Sequence, residues 1–411
     1  MLKLNDKYIN LVNETEKELN DIFNSIDKNT YLNSKKVLDA FHCANISESD
    51  LYGTSGYGYN DTGRDKIEKI FSYVLDSEDA LVRTQIISGT HAISTALFAI
   101  LRPGDTLLAI SGTPYDTLHE VIGIKPNNSS LISYGIYYKE IELIDNDFNY
   151  EKIKEEFKNN IKAIHIQRSR GYSLRESLTI EKIEQVIKFI KSINKEIIIF
   201  VDNCYCEFVE TTTPTSLGAD LIAGSLIKNL GGGIARNGGY IAGRHDLIEL
   251  CAQRLNVPGE GREVGPSGNA NREFLQGLYF APSVVSSALK TSILTSKVLE
   301  KLDFEVHPTY NEKRADIVQL IYFKNEENII KYAEGIQASG AIDAGVLPIA
   351  SDMPGYDDKI IMASASFVQG SSIEISCDGP LKEPYVLFQQ GSLTYDYGKI
   401  ALINAISKLN E

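Results

Sequence analysis

The chain has 411 residues, 43% hydrophobic and 23% charged, enough for a large domain, a smaller one and a sizeable core. A formal net charge of −14 leaves no basic stripe to displace phosphate counterions, so a nucleic-acid partner is excluded. No apolar run reaches the roughly 18 residues of a membrane span, and the start, MLKLNDKYINLVNETEKELN, is charged and amphipathic without a signal-peptide core, so a cytoplasmic protein is expected.

Residues 1–45 read as helical, with Ile9, Val12 and Leu19 on one face, and are expected to pack outside the main domain. A Gly- and Tyr-rich loop follows, with Tyr57, Tyr59 and Arg64 beside flexible backbone, before a helix predicted to start near Asp65. Arg64 suits a phosphate, although a surface ion pair explains it equally well. Next come a strand, the turn Ser88-Gly89-Thr90-His91, an apolar helix ending at Pro103-Gly104 and another strand. A helix opening on Ser88, Gly89 and Thr90 presents free amides and a positive dipole end, a natural anion site. GTPYDT, after the second strand, places Tyr115 where an aromatic can lie on a flat ring.

Strands are expected at 131–135, 137–144 and 163–167, and helices at 150–161 and 180–193. Their alternation implies a mostly parallel sheet with helices on both faces. The last of these strands ends in QRSRGYS, where Gln167 or Ser169 could bond a phenolic oxygen and Arg168 or Arg170 could hold a carboxylate.

The stretch 196–243 carries the chemistry. A buried apolar strand ends on Asp202; a second ends on Ser225, three residues before Lys228 and its cluster Gly231-Gly232-Gly233. A carboxylate at a strand's carboxyl end sits where open α/β sheets bind ligands and can keep a pyridine nitrogen protonated. A lysine partly buried beside a cationic ring is lowered toward the neutral amine that binds an aldehyde. Ser225 can place its hydroxyl on a phosphate, and the glycines would let backbone pass close to the ligand. Together they suggest a site for pyridoxal 5'-phosphate. The five cysteines, Cys43, Cys204, Cys206, Cys251 and Cys377, lack metal-type spacing and read as buried free thiols, so no metal site is expected. Alternation would point Cys204 and Cys206 to one face of an extended segment.

Helices are predicted at 244–255 and 272–299, the second leading into a smaller domain with strands at 317–322 and 373–376 and helices at 326–339 and 397–409. The division expected is an N-terminal helical segment (1–50), a large domain (51–285) and a smaller α+β domain (286–411).

These residues resemble the cystathionine β-lyase and methionine γ-lyase class of fold type I enzymes, which depend on pyridoxal 5'-phosphate: VDNCY with SLIK, SGTHA and PYDT match its motifs. GYGYNDTGRDKIE, QRSRGYS, SLIKNLGGGIARNGGYIAGR, MPGYDDKIIMAS, FVQGSSIEISCDGP and KEPYVLFQQGSLTYDYGK are similar to its aluminium-resistance, methionine γ-lyase-like group, and cover most of the chain. The resemblance implies an aspartate aminotransferase-like fold. It makes Lys228 the Schiff-base lysine, Asp202 the ring-nitrogen partner and Tyr115 the stacking tyrosine of the catalytic set. It assigns the phosphate to Ser88, Gly89, Thr90 and Ser225, with Tyr59 and Arg64 reaching from a neighbouring subunit, and so implies a homodimer sharing its sites, commonly paired into a homotetramer. Two departures stand out: Ile227 replaces a hydroxyl residue of the class, and no arginine follows Arg314, although the class clamps the substrate carboxylate with one there. Lys382, Arg168 and Arg170 are the candidates for that task.

The activity implied is carbon–sulfur lysis of an amino acid by β- or γ-elimination. Transamination, racemisation or aldol cleavage with the same cofactor are alternatives, as is a low-turnover cofactor-binding protein in metal tolerance. A Walker-type nucleotide site is excluded because the glycines follow Lys228 instead of preceding it.

Overall fold

The computed structural model describes residues 4–353, 358–364 and 366–409; four residues of the MPGYDDKIIMAS motif lie outside them. Helices α1 (Asp6–Lys17), α2 (Asn20–Ala44) and α3 (Thr62–Val74) precede a sheet of seven strands. These are β1 (Asp79–Arg83), β2 (Thr106–Ala109), β3 (Tyr137–Glu140), β4 (Ile161–Gln167), β5 (Ile198–Asp202), β6 (Leu221–Ser225) and β7 (Gly239–Gly243), in the spatial order β1-β7-β6-β5-β4-β2-β3. Only β7 runs against the others, pairing antiparallel with both β1 and β6. Between the strands lie α4 (Gly89–Ile100), the single turn α5 (His119–Ile122), α6 (Tyr150–Glu156) and α7 (Ile180–Ile193).

The central strands are continuous apolar runs because both faces are covered. On β5, Ile199 and Val201 pack with Ile183, Val186, Ile187 and Ile190 of α7. Ile198 and Phe200 point the other way, into a cluster with Ala92, Ile93 and Ala96 of α4 and with Leu247 and Ile248 of α8 (His245–Leu255). The Ile183, Ile187, Ile190 spacing is one face of a helix, and each such side chain, fully buried, contributes about 1.5–3 kcal/mol.

The 31-residue α9 (Ala270–Glu300) leads to a second, antiparallel sheet: β8 (Glu305–His307), β9 (Gln319–Tyr322), β10 (Ile360–Ser364), β11 (Ser376–Pro380) and β12 (Val386–Gln390), in the order β10-β11-β12-β9-β8. One of its faces packs on α9, α10 (Glu326–Ala338) and α11 (Tyr395–Lys408) through Ile321, Ile361, Leu387, Tyr332 and Leu402. The other face, through Leu320, Val386 and Phe388, meets Tyr172 and Tyr205 of the first sheet's loops.

Several expectations are corrected. Tyr8, Val12 and Leu19 pack outside the large domain, in the core of the second sheet, but Val37, Ala40 and Ala44 of α2 belong to the large domain's own core. Residues 131–135 form no strand; Ile132–Tyr134 is a short 3-10 turn closed by Gly135 in the left-handed region, because the pattern carries too few consecutive core positions for a strand. The helix at 150 stops at Glu156, and Ile161 already belongs to β4. Residues 373–375 precede β11 instead of opening it.

Candidate active site

Six strands of the first sheet point one way, so their carboxyl ends gather at one edge. Gln167 ends β4, Asp202 ends β5 directly opposite it, and Ser225 ends β6, whose Ala223 faces Asp202. Ser111, just after β2, accepts the backbone N–H of Gln167 at 2.9 Å, and α4 starts at the same edge after β1. Ser88 is the N-cap of α4, its Oγ accepting from the His91 amide at 3.0 Å, with Gly89 and Thr90 as the first helical residues. A Cβ on Gly89 would lie 3.3 Å from both Ser225 Cβ and Cys204 Sγ, so helix start, Ser225 and Cys204 are in contact. Ser225 Oγ accepts the Ile227 amide, leaving its proton to donate.

Asp202 is buried, and one carboxylate oxygen accepts the Cys204 amide at 3.1 Å. Lys228 is half-buried with Nζ 4.0 Å from the centre of the Tyr205 ring. Burial opposes its charge, but Cys204, Tyr205 and Asp202 together outweigh burial and hold the ammonium above the ordinary lysine range. Asp202 and Lys228 therefore share one electrostatic field. A lowered lysine, as expected beside a cationic ring, would need a positive charge set against Asp202. Tyr205 has φ 70°, so the segment Cys204–Cys206 is not extended and the expected alternation fails there. All five cysteines are free; four are buried, whereas Cys43 is exposed on α2.

Tyr115 donates its backbone N–H to Gln167 Oε1 at 2.6 Å, and Gln167 Nε2 donates to Ser169 O at 3.0 Å. The Tyr115 ring lies against Gly171, where φ is 58° and a Cβ would come within 2.8 Å of the ring. Gly231, after Lys228, has a packing reason of its own. A Cβ on Gly231 would fall 1.6 Å from Leu226 O, and one on Gly277 of α9 would fall 2.4 Å from Gly231 O. The turn is pressed against a helix, and at Gly231 that close backbone packing by itself demands glycine.

The remaining candidates are spread more widely. Tyr59 is 55% exposed and stacks on exposed Tyr57 with ring centres 5.5 Å apart. Arg64 is buried within this chain, Nη1 donating to Gly58 O and Gly265 O and its other nitrogens to Asp65. Arg168 is buried against Glu210 at 2.5 Å and Asn203 at 3.3 Å. Arg170 is buried on a cleft of about 850 Å³, and Lys382 lies at that cleft too, exposed and paired with Asp358.

Sequence reasoning missed the contribution of the second sheet. Buried Asp378 of β11 accepts the Tyr172 hydroxyl at 2.7 Å; burial raises its carboxyl, Tyr172 and Lys228 lower it, and it settles at about 6. Glu207 is buried beside the site, accepting from Tyr240 at 2.7 Å, and burial raises it to about 7. His165, buried on β4, has no partner at either ring nitrogen among the described residues; burial lowers it to about 4 despite Asp202. Among the described residues, Asp79, His245 and Glu249 form the one grouping of metal-ligand types, and Arg262 already fills it, bonding Asp79 at 2.7 Å and Glu249 at 3.2 Å.

A helix start and a serine for an anion, a carboxylate one strand away and an amine that feels that carboxylate's charge form a cradle that fits a flat, phosphorylated, cationic ring. The architecture is that of pyridoxal-phosphate-dependent fold type I: the pyridoxal-5'-phosphate dependent protein YhfS from Escherichia coli superposes with a TM-score of 0.62 at 17% identity, over 93% of this chain and 97% of that one. The chain belongs to the methionine gamma-lyase family, whose pattern matches residues 8–410. It is 45% identical to the carbon-sulfur lyase involved in aluminum resistance from Clostridium novyi NT, with a TM-score of 0.94 over 98% of this chain and 96% of that one. It is also 45% identical to the protein YnbB of Bacillus subtilis over 399 residues, 96% of this chain and 95% of that one.

Proposed function

We propose that this protein is a carbon–sulfur lyase dependent on pyridoxal 5'-phosphate, releasing a thiol, ammonia and a keto acid from a sulfur-containing amino acid by β- or γ-elimination. The observation that carries this reading is the meeting of Lys228, Asp202 and the α4 amides at one sheet edge, all within reach of the Tyr115 and Gln167 loops. When bound, the cofactor supplies an aldehyde for the amine and an electron sink for the pair left on Cα. Asp202 holds a proton at the ring nitrogen, and a cation there offsets the field that keeps Lys228 charged, returning its amine toward neutrality. Lys228 Nζ then takes the Cα proton.

Ser225 and the amides of Gly89 and Thr90 hold the phosphate, with Ser88 fixing the helix start. The Tyr115 ring covers one face of the site and, with Phe388 behind Tyr172, excludes water. Gln167 Nε2 keeps one N–H for a phenolic oxygen. The same reading takes 51–285 as the cofactor-binding domain, 286–411 as its smaller companion and 1–50 as a helical lead whose first part joins the latter's core and whose second part joins the former's. It places the enzyme in the cytoplasm as a homodimer, paired into a tetramer, with Tyr57 and Tyr59 facing the second copy. No described helix is long and apolar enough to cross a membrane.

The test is a visible absorption band that borohydride bleaches, with the reduced cofactor mapped to the Lys228 peptide. It is followed by detection of keto acid and ammonia across a panel of sulfur amino acids. Transfer of the amino group to an acceptor keto acid without free ammonia would sink the lyase reading.

A further inference from the structure

The cleft beside Tyr115 and Gln167 has three long cationic side chains on its wall, Arg170, Arg175 and Lys382. Two are already engaged. Arg175 donates to the carbonyls of Gln167 and Ser169 at 2.7 and 2.8 Å and to Glu176 O at 2.7 Å. Lys382 is exposed and neutralised by Asp358. Arg168, the other sequence candidate, is turned away to Glu210, Asn203 and the Leu178 carbonyl and does not reach the cleft.

Arg170 differs from all three. It is 2% exposed, its Nε makes only a 3.4 Å contact with Ser177 Oγ, and Nη1 has no partner among the described residues. Asp316, the carboxylate whose charge acts most on it, already accepts the Ser169 and Ser177 hydroxyls and the Val318 amide. Burial and the neighbouring Arg170 charge also lower Arg175 and Arg314, each to about 10. Three guanidiniums thus share a poorly solvated region in which Asp316 is already engaged by two hydroxyls and an amide. An unpaired buried N–H on a charged group is costly, and a carboxylate is the anion whose two oxygens match a guanidinium fork. Arg170 adjoins Gly171, on which the Tyr115 ring rests, so an anion held there lies next to that ring.

We propose that Arg170 binds the carboxylate of the amino-acid substrate, so that this anion is anchored by the large sheet's β4 loop and not by the smaller domain. The substrate identity rests on the lyase reading; the carboxylate site itself does not. Arg170 from the β4 loop takes the place of the arginine that is absent after residue 314.

The experiment uses two probes lacking the amino group, 3-(methylthio)propanoate and its amide, titrated calorimetrically into the full chain saturated with pyridoxal 5'-phosphate and into the full chain without it. Wild type is expected to bind the acid at least about 30-fold more tightly than the amide, a difference of about 2 kcal/mol. Arg170→Ala should erase that preference and Arg170→Lys should keep about a tenth of it, while Lys382→Ala shifts it less than about 3-fold; the lysine variant carries the comparison if the alanine variant misfolds. Equal acid binding by wild type and both Arg170 variants, no acid preference in wild type, or a loss that follows Lys382 would each overturn the assignment. Unchanged probe binding in Arg170 variants that still take up cofactor overturns this assignment alone. An Arg170-dependent acid preference in a protein that takes up no cofactor overturns the lyase reading alone.

Discussion

The two sheets meet at the same site but are built for different tasks. The first is covered on both faces, its strands are nearly all parallel, and each important strand stops on a polar side chain: Gln167, Asp202, Ser225. The second is antiparallel, with helices on one face and the other turned toward Tyr172 and Tyr205. A parallel sheet concentrates strand ends, helix dipoles and exposed carbonyls at one edge, so it can assemble charge from residues far apart in sequence. An antiparallel sheet offers a face, and here that face is a wall with the buried carboxylate of Asp378 set into it. Groups that act on a ligand should therefore lie in the first sheet and groups that shape its chamber in the second.

That contrast can be broken by experiment. Lys228→Ala should abolish turnover, at least about 10⁴-fold, with loss of the borohydride-sensitive band, since it removes both the amine for an aldehyde and the proton acceptor. Asp202→Ala should retain some cofactor but lower kcat by about 10²–10³, the effect of removing one member of a buried charge pair. Gly231→Ala should destabilise the fold by about 3 kcal/mol in urea unfolding, because its Cβ cannot share space with Leu226 O.

Glu207→Gln isolates a pH effect. The carboxyl of Glu207 is raised from 4.5 to about 7, so the native state holds a proton that the unfolded chain releases. Its stabilisation is complete below about pH 4.5 and is lost as pH rises through 7, by about 3 kcal/mol in all. The difference in unfolding free energy between wild type and the glutamine variant should therefore swing against wild type between pH 5 and 8. Tyr172→Phe should have the smallest effect, about 1 kcal/mol, from loss of one hydrogen bond to Asp378. A loss of activity in Asp378→Asn as large as that in Asp202→Ala would mean that the second sheet takes part in the chemistry and the division of labour is wrong.

The same contrast explains what could be read from the chain alone. Lys228, Asp202, Ser225 and the Ser88-Gly89-Thr90 turn were legible because each terminates a buried apolar run, and a polar residue there breaks a pattern. The fully buried strands and the 3.6-residue helices announced themselves for the same reason. Asp378 was not legible: it lies within a short strand flanked by Cys377 and Gly379, and only pairing with Tyr172, far away in sequence, makes it part of the site. The reason for Gly231 was also hidden, since glycine signals freedom or proximity without saying what is near. At 131–135 apolar residues imitated a strand, but Gly135 takes φ 80° and a tight turn resulted.

The contact of Gly231 with Gly277 has a mechanical side. α9 touches the Lys228 turn with its first half, while Leu294, Val298 and Leu299 near its far end are embedded in the other sheet's core. Backbone meets backbone at that point with no side chain between, and Pro282 lies in α9 between this contact and the part embedded in the other sheet. A shift of α9 at Gly277 toward the turn has no free space to enter, so the Lys228 turn must move with it.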